Sequence, residues 1–174
     1  MPRFALQFKK ADVRKWASRY SYEGEKDVEQ KITPSVKKRG HFTKPEFLAL
    51  CYWKSPRTQS RVDSNSASLI EDATRIALST THERLRIGAL TLLHGVSWPT
   101  ASTVLHFAHR DPYPIIDFRA LWSLGHQERP AFYTFDFWWD YVRTCRALAK
   151  ECGVPMRLLD RALWQYSKEN QPSR

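Results

Sequence analysis

The chain of 174 residues contains only 6 glycines, which is few for a sheet protein with many tight turns. Its cysteines, Cys51, Cys145 and Cys152, do not make a disulfide framework, and this favours a reducing compartment. No apolar stretch approaches the ~20 residues that span a membrane, and the start "MPRFALQFKK" lacks the apolar region and cleavage site of a signal peptide. We therefore expect a cytoplasmic protein that does not enter a membrane.

Positive charge is concentrated in the first third of the chain. The net charge is +10. Residues 1–62 contain 15 Lys/Arg and 6 Asp/Glu, which gives them a net charge of +9. Residues 63–174 contain 13 Lys/Arg and 12 Asp/Glu, which gives them a net charge of +1. A one-sided basic field suits a polyanion, with nucleic acid ahead of a membrane surface. The alternative interpretation is an ordinary solvated basic surface.

Apolar residues recur at helical spacing along the whole chain, and no alternating strand pattern occurs, so the sequence predicts an all-α fold. A helix is predicted to start at Thr43, with Pro45 in its first turn. Further helix starts are predicted at Ser66, at a capping box formed by Thr80 and Glu83, and at Thr134. The length predicts one helical domain, in which residues 1–62 form a basic part, 63–130 a core and 131–174 the last helices.

The stretch "LLHGVSWPTASTVLHF" between Leu92 and Phe107 indicates two helices joined by a hairpin of three or four residues, and the second helix is predicted to run from Thr100 to His109. Such a turn directs successive backbone N–H groups outward, and the second helix adds its positive N-terminal end. Together they can hold a phosphate without a long side chain. The alternative interpretation is a turn that only connects two helices.

An extended segment and an aspartate follow the second helix. The run "RDPYPII" is predicted to be extended, because prolines at alternate positions prevent a helix. Asp117 then stands at an N-cap position before "FRALWSL", and Arg119 lies two residues later. Asp117 is either a plain cap or a functional carboxylate, and Arg119 contacts either a phosphate or solvent.

Taken together, "GVSWPTASTVLHFAHRDPYPIIDFRALWSLG" resembles the helix-hairpin-helix DNA glycosylases related to endonuclease III, adenine-mismatch glycosylase and the alkylpurine glycosylases. The match covers about residues 90–125 and is carried by Leu93, Gly95, Val96, Thr100, Ala101 and Asp117. The resemblance implies two helical lobes around a cleft, with the hairpin and the aspartate side by side at its mouth. It also implies that Gly95, Val96, Ser97 and Thr100 bind DNA and that Asp117 stabilises positive charge on the deoxyribose.

Two residues depart from the family pattern. Ser97 stands where the family has the second hairpin glycine, and serine tolerates positive φ poorly, so a reshaped turn is expected. Pro99 stands where bifunctional members carry the lysine that forms a Schiff base, so a monofunctional glycosylase without lyase activity is expected. No four-cysteine iron–sulfur motif is present, and His106 and His109 lack further ligands, so we expect no cofactor and no metal.

Basic and aromatic residues complete the candidate site. The densest basic set is expected to bind phosphates, with Lys54, Arg57 and Arg61 as the candidates; its other members are Lys37, Lys38, Arg39 and Lys44. In "FYTFDFWWDY", Phe135, Trp138, Trp139 and Val142 form one helical stripe that is expected in the core. Phe137 or Tyr141, off that stripe, is expected to contact an extruded base.

These observations predict a monomer that binds double-stranded DNA mainly through phosphates and hydrolyses the N-glycosidic bond of a damaged or modified base. Two alternatives stay open. One is a non-catalytic helix-hairpin-helix module that binds DNA, which Ser97 and Pro99 favour. The other is a regulatory or interaction protein that uses the same scaffold for another ligand.

Overall fold

The computed structural model describes residues 3–127, 130 and 132–172. Every regular element in these residues is helical, which confirms the all-α prediction. Short 3₁₀ turns occupy Lys10–Asp12 and Pro56–Thr58, and a π-helical turn occupies Val28–Ile32. The α-helices, in chain order, are α1 Val13–Ser18, α2 Glu25–Asp27, α3 Thr33–Arg39, α4 Lys44–Lys54, α5 Gln59–Asp63, α6 Ala67–Ser79, α7 Glu83–Thr91, α8 Trp98–Ala108, α9 Phe118–Ser123, α10 Phe135–Glu151 and α11 Met156–Asn170.

Three predicted caps are present at the helix starts. Thr43 forms a capping box with Glu46, whose carboxylate accepts the Thr43 N–H at 2.9 Å. The Ser66 hydroxyl accepts the N–H of Leu69 at the start of α6. The Thr134 hydroxyl accepts the N–H of Phe137 at the start of α10. Each cap satisfies a backbone donor that has no partner inside the helix.

The capping box predicted at Thr80 and Glu83 is wrong. Helix α7 begins at Glu83 itself, with His82 in the N-cap position. The Thr80 hydroxyl instead accepts the N–H of His82, and Glu83 pairs with Arg86 one turn along the helix. A threonine three residues before a glutamate is compatible with a helix cap and also with a short side-chain turn. In this chain the side-chain turn forms at Thr80.

The chain forms two compact units. The middle unit, residues 22–111, contains α2 to α8 around an apolar core. A charged side chain is enclosed in this unit: Arg86 is buried, and its guanidinium donates to the carbonyls of Ala77 and Thr80. The largest side chains of the core include Phe42, Phe47, Leu50, Ile70, Ile87, Leu90, Leu93 and Leu105.

The terminal unit combines the described residues of 1–21 and 112–174 and contains α1 and α9 to α11. The N-terminal segment is tied to the end of α9, because the Ala5 N–H donates to the Leu124 carbonyl at 2.9 Å and the Gln7 N–H to Ser123 at 3.0 Å. Helix α11 packs against both α1 and α9. The core residues of this unit include Trp138, Tyr141, Val142, Cys145, Leu159 and Leu163.

None of the helices in the described part of the chain combines the length and the apolar character needed to cross a bilayer.

Candidate functional site

The predicted hairpin lies in the middle unit between α7 and α8. Helix α7 ends at Thr91, and α8 begins at Trp98, two residues before the predicted start at Thr100, because Pro99 fits the first turn of a helix. Residues 92–97 separate the two helices, so the connection is longer than the predicted three or four residues. The turn closes where the Val96 N–H donates to the Leu93 carbonyl at 3.1 Å. Gly95 has φ of +80°, in the left-handed region that favours glycine.

Gly95 is also required by its surroundings. A Cβ at this position would lie 2.9 Å from the Cβ of Arg61 and 2.9 Å from the backbone nitrogen of Val62, closer than real contacts allow. The hairpin therefore sits directly on α5, and the Arg61 side chain begins at the turn. Thus the structure brings together Gly95 and Arg61, which the sequence analysis had selected separately.

Asn65 holds the hairpin in place. Its side-chain carbonyl accepts the His94 N–H at 2.9 Å, and its NH₂ donates to the His94 carbonyl at 2.9 Å and to the Val62 carbonyl at 2.8 Å. The side chain is buried, so these bonds are shielded from water. Sequence reasoning missed Asn65, because nothing in "DSNSAS" separates a clamp from a loop residue.

The backbone amides of the hairpin are only partly available. The N–H groups of His94 and Val96 already donate within the turn, so the expectation that Val96 binds DNA through its amide is wrong; its side chain is also buried. In the described residues, the N–H groups of Gly95, Ser97 and Thr100 donate no hydrogen bond. The Ser97 side chain does not cap α8, which leaves the positive helix end uncovered by its own N-cap.

Ser97 does not strain the turn. Its φ is −96° and its ψ is 173°, an extended conformation that any residue adopts. Only Gly95 takes positive φ among the hairpin residues, so Ser97 is not held in the conformation that serine tolerates poorly. Ser97 is exposed, whereas the Thr100 side chain is buried, so Thr100 offers its backbone only.

The densest basic set of the sequence contains residues that form ion pairs and residues that form none within the described part of the chain. Arg39 pairs with Glu46, and Lys44 pairs with Asp63 at 3.1 Å. Lys54 is half-buried. Arg57 and Arg61 are exposed and form no ion pair among the residues that the structure describes. Lys37 and Lys38 are likewise exposed without an ion pair in the described residues, and Arg61 differs from them in that its side chain begins at the hairpin.

Asp117 caps α9 in the terminal unit, as predicted. Its Oδ1 accepts the N–H of Ala120 at 2.9 Å, and the residue is half-buried. A capping bond uses one lone pair of the carboxylate, so this bond is compatible with a second role for the charge.

The segment that leads to Asp117 is fixed on both sides at Ile115. The Ile115 N–H donates to Oδ1 of Asp160 at 3.1 Å, and the Ile115 carbonyl accepts the Tyr141 hydroxyl at 2.8 Å. Asp160 is buried and also holds the guanidinium of Arg157 at 2.7 Å. Sequence reasoning missed Asp160, although an aspartate on the buried face of an amphipathic helix is a signal for a specific partner.

The prediction that Phe137 or Tyr141 is free to contact an extruded base is wrong. Both lie on the buried face of α10, and Phe137 packs edge-on against Phe4 with ring centroids 5.3 Å apart. Burial, and then the nearby acidic groups of Cys145, Asp160 and Asp117, raise the pKa of Tyr141. Tyr141 is therefore a neutral hydrogen-bond donor that positions Ile115. The buried face of α10 contains Phe137, Trp138, Tyr141 and Val142. Phe135 and Trp139, which were predicted to be in the core, are half-buried.

Arg119 lies on α9 and contacts aromatic rings. Its guanidinium carbon is 5.1 Å from the centroid of Phe118 and 5.1 Å from the centroid of Trp164. Trp164 is a further residue that sequence reasoning did not select, because it looked like one more aromatic of an amphipathic helix.

The described residues contain no group of three or more His, Cys, Asp and Glu side chains arranged to hold a metal ion. Burial raises the pKa of the Cys51 thiol to about 12, and it also raises the pKa of Cys145. Both thiols are therefore neutral at physiological pH and are poor nucleophiles.

Comparison of the chain with protein-family models, curated proteins and solved structures found no match.

Proposed function

We propose that this chain binds double-stranded DNA and acts as a monofunctional DNA glycosylase that removes a damaged or modified base. The observation that carries the proposal is the hairpin itself. A glycine that tolerates no side chain holds the turn against α5, and the Arg61 side chain begins beside this glycine. The amides of Gly95, Ser97 and Thr100 donate no hydrogen bond within the described residues. Uncommitted amides, a positive helix end and an unpaired guanidinium together suit a phosphate of a nucleic-acid backbone.

The division of the chain also supports the proposal. Two helical units agree with the two lobes that the resemblance implies, and the second unit is formed from the two ends of the chain. The hairpin belongs to the middle unit, and Asp117 belongs to the terminal unit.

Asp117 is the proposed catalytic residue. In the reaction the C1′–N bond breaks, its electron pair leaves with the base, and the oxygen of a water molecule bonds to C1′. The base gains one proton, and the sugar keeps a hydroxyl. Positive charge develops on the deoxyribose as the bond breaks, and a carboxylate beside C1′ stabilises that charge and orients the water. The two-sided fixation of Ile115 supports this role, since it restrains the residue two positions before the carboxylate.

Pro99 supports the monofunctional assignment. A proline nitrogen within the chain carries no hydrogen and cannot form an imine with the sugar. The strand is therefore expected to stay intact after base removal, until alkali cleaves the abasic site.

A second candidate function is a DNA-binding module without chemistry. The capping bond from Ala120 favours it, because capping alone is a sufficient structural reason for an aspartate at this position.

Two measurements test the proposal. Binding to a plain duplex across a salt series tests the DNA interface, since phosphate contacts make affinity fall steeply with salt. Incubation with duplexes that each carry one damaged base, followed by alkali, tests the chemistry. Salt-sensitive binding with alkali-dependent cleavage of one duplex supports the glycosylase. Salt-sensitive binding without cleavage supports the module, and no binding contradicts both.

A further inference from the structure

Two aromatic rings lie half-buried next to each other in the terminal unit, outside the residues already discussed for the hairpin. Tyr20 follows α1 and Trp164 belongs to α11. Their ring centroids are 5.3 Å apart, at an interplanar angle of 78°. Neither ring is enclosed in the core, so both present part of their surface to solvent.

Four cationic side chains lie over these two rings. The Arg119 guanidinium carbon and the Lys168 ammonium are each 5.1 Å from the Trp164 centroid. The Arg157 and Arg161 guanidinium carbons are 5.5 Å and 5.7 Å from the Tyr20 centroid. We refer to these residues as the Trp164 surface, which comprises Tyr20, Arg119, Arg157, Arg161, Trp164 and Lys168.

Positive charge on the Trp164 surface is only partly neutralised. Arg157 is paired with the buried Asp160. Arg119 and Lys168 contact rings but form no ion pair with a carboxylate among the residues that the structure describes. Apolar side chains alone would be sufficient to cover two rings, so the surplus of cations around half-exposed rings favours a ligand that is both flat and anionic.

We infer that the Trp164 surface binds an unpaired nucleotide of a DNA strand, with its base stacked on Trp164 and its phosphates next to Arg119 and Lys168. Stacking on an aromatic ring combined with cations along the backbone is the general chemistry of single-strand binding. A fully paired segment keeps its bases inside the duplex, and a lipid headgroup has no flat apolar ring to stack. An unpaired nucleotide supplies both groups that the surface matches.

This inference rests on the proposed DNA binding and not on the glycosidic chemistry. Arg119 is two residues after Asp117 at the start of α9, so the Trp164 surface and the proposed catalytic carboxylate belong to the same unit. An extruded nucleotide in an otherwise paired duplex is the substrate form that base removal requires.

The test is fluorescence anisotropy with three labelled probes: a paired duplex, the same duplex with a central run of unpaired thymidines, and a single strand of thymidines. The full chain is expected to bind the probe with unpaired thymidines about tenfold more tightly than the paired duplex, which corresponds to one stacked base. Trp164→Ala removes the stacking ring and is expected to abolish this preference, while Trp164→Phe keeps most of it.

Two matched variants distinguish the site from general effects. Trp122→Ala removes a tryptophan that stacks on Tyr166 in the same unit, and it is expected to keep the preference. Arg119→Gln is expected to weaken binding of the unpaired probe about threefold or more, because one charged contact to the strand is lost, whereas Arg143→Gln removes an arginine paired with Asp140 and is expected to have little effect.

The outcomes separate this inference from the proposed function. No binding of any probe contradicts both. Salt-sensitive duplex binding without a preference for unpaired thymidines, or a preference that survives Trp164→Ala, overturns only the inference. Binding to vesicles of phosphatidylserine and phosphatidylcholine that is lost in Arg119→Gln, without a preference among the DNA probes, also overturns it and assigns the surface to a membrane.

Discussion

The side-chain amide of Asn65 is hydrogen bonded to both backbone groups of His94, at 2.9 Å in each direction. This pairing fixes the residue before Gly95 and therefore the direction of the hairpin. The proposed phosphate site depends on this pairing, because the amides of Gly95 and Ser97, which donate no hydrogen bond within the described residues, follow directly in the chain.

Asn65→Ala is expected to destabilise the fold by about 1–3 kcal/mol, because it leaves buried backbone groups of His94 and Val62 without their partner. Urea unfolding measures the change. Asn170→Ala, near the end of α11, is the control and is expected to change stability by less than about 0.5 kcal/mol. Equal effects of the two substitutions would show that Asn65 is not a clamp.

A comparison of Gly95→Ala with Gly40→Ala distinguishes the cost in stability of a close contact from the cost of an unfavourable backbone conformation. Both glycines have positive φ, +80° and +83°, but a Cβ at Gly40 meets no atom within 4 Å. Gly40→Ala is expected to cost about 1–2 kcal/mol from conformation alone, and Gly95→Ala about 1–3 kcal/mol more from the overlap with α5. Equal unfolding free energies for the two variants would contradict the close packing of Gly95 against α5.

Arg61→Gln is expected to weaken duplex binding and to reduce the slope of log affinity against log salt by about one, because one phosphate contact is lost. The matched control is Arg75→Gln, which removes an exposed arginine paired with Asp72. An Arg61→Gln salt slope equal to that of the wild type would remove Arg61 from the interface.

His109 is expected to make the stability of the fold depend on pH. Burial and then the charge of Arg86 lower its pKa below the ordinary value of 6.5, and the Arg86 guanidinium lies 2.6 Å from its Nε2. The unfolded chain therefore binds a proton more readily than the folded one. Stability is complete above about pH 7 and falls as the pH decreases through 6.5, with a slope of up to about 1.4 kcal/mol per pH unit.

Thermal unfolding between pH 7.5 and pH 5 measures this dependence. His109→Gln is expected to flatten the decrease in this range, and the exposed His82→Gln is expected to leave it in place. A wild-type melting temperature that rises as the pH falls from 7 to 5.5 would contradict the assignment.

Local signals in the sequence predicted much of the secondary structure. Thr43, Ser66, Thr134 and Asp117 cap helices as predicted, because an N-cap depends on residues within one turn of each other. The prediction at Thr80 is wrong, because its hydroxyl accepts the N–H of His82 and does not cap α7.

Long-range relations could not be read from the chain. Nothing in residues 3–21 indicates that Ala5 and Gln7 bond to the end of α9, more than a hundred residues later. The hydrogen bonds of Asn65 to His94 and the packing of Gly95 against α5 are likewise contacts between distant segments. The periodicity of apolar residues along the sequence does not describe such contacts. The error at Phe137 and Tyr141 has the same origin, because a helical stripe specifies a face but not which neighbouring face is buried.

We propose that the Asp117 carboxylate promotes hydrolysis of a glycosidic bond. Asp117→Asn keeps a favoured N-cap that can still accept the Ala120 N–H, so the fold is expected to be unchanged. The negative charge is lost, and with it the stabilisation of the sugar cation. Asp72→Asn, at an exposed carboxylate of α6, is the control for loss of one charge.

The most direct measurement is the rate of abasic-site formation on a damaged duplex that the wild type processes, compared between these variants. We predict a loss of at least about a hundredfold for Asp117→Asn, with duplex affinity unchanged and with Asp72→Asn as active as the wild type. A wild-type rate in Asp117→Asn, or no abasic sites from the wild type on any damaged duplex, would contradict the account.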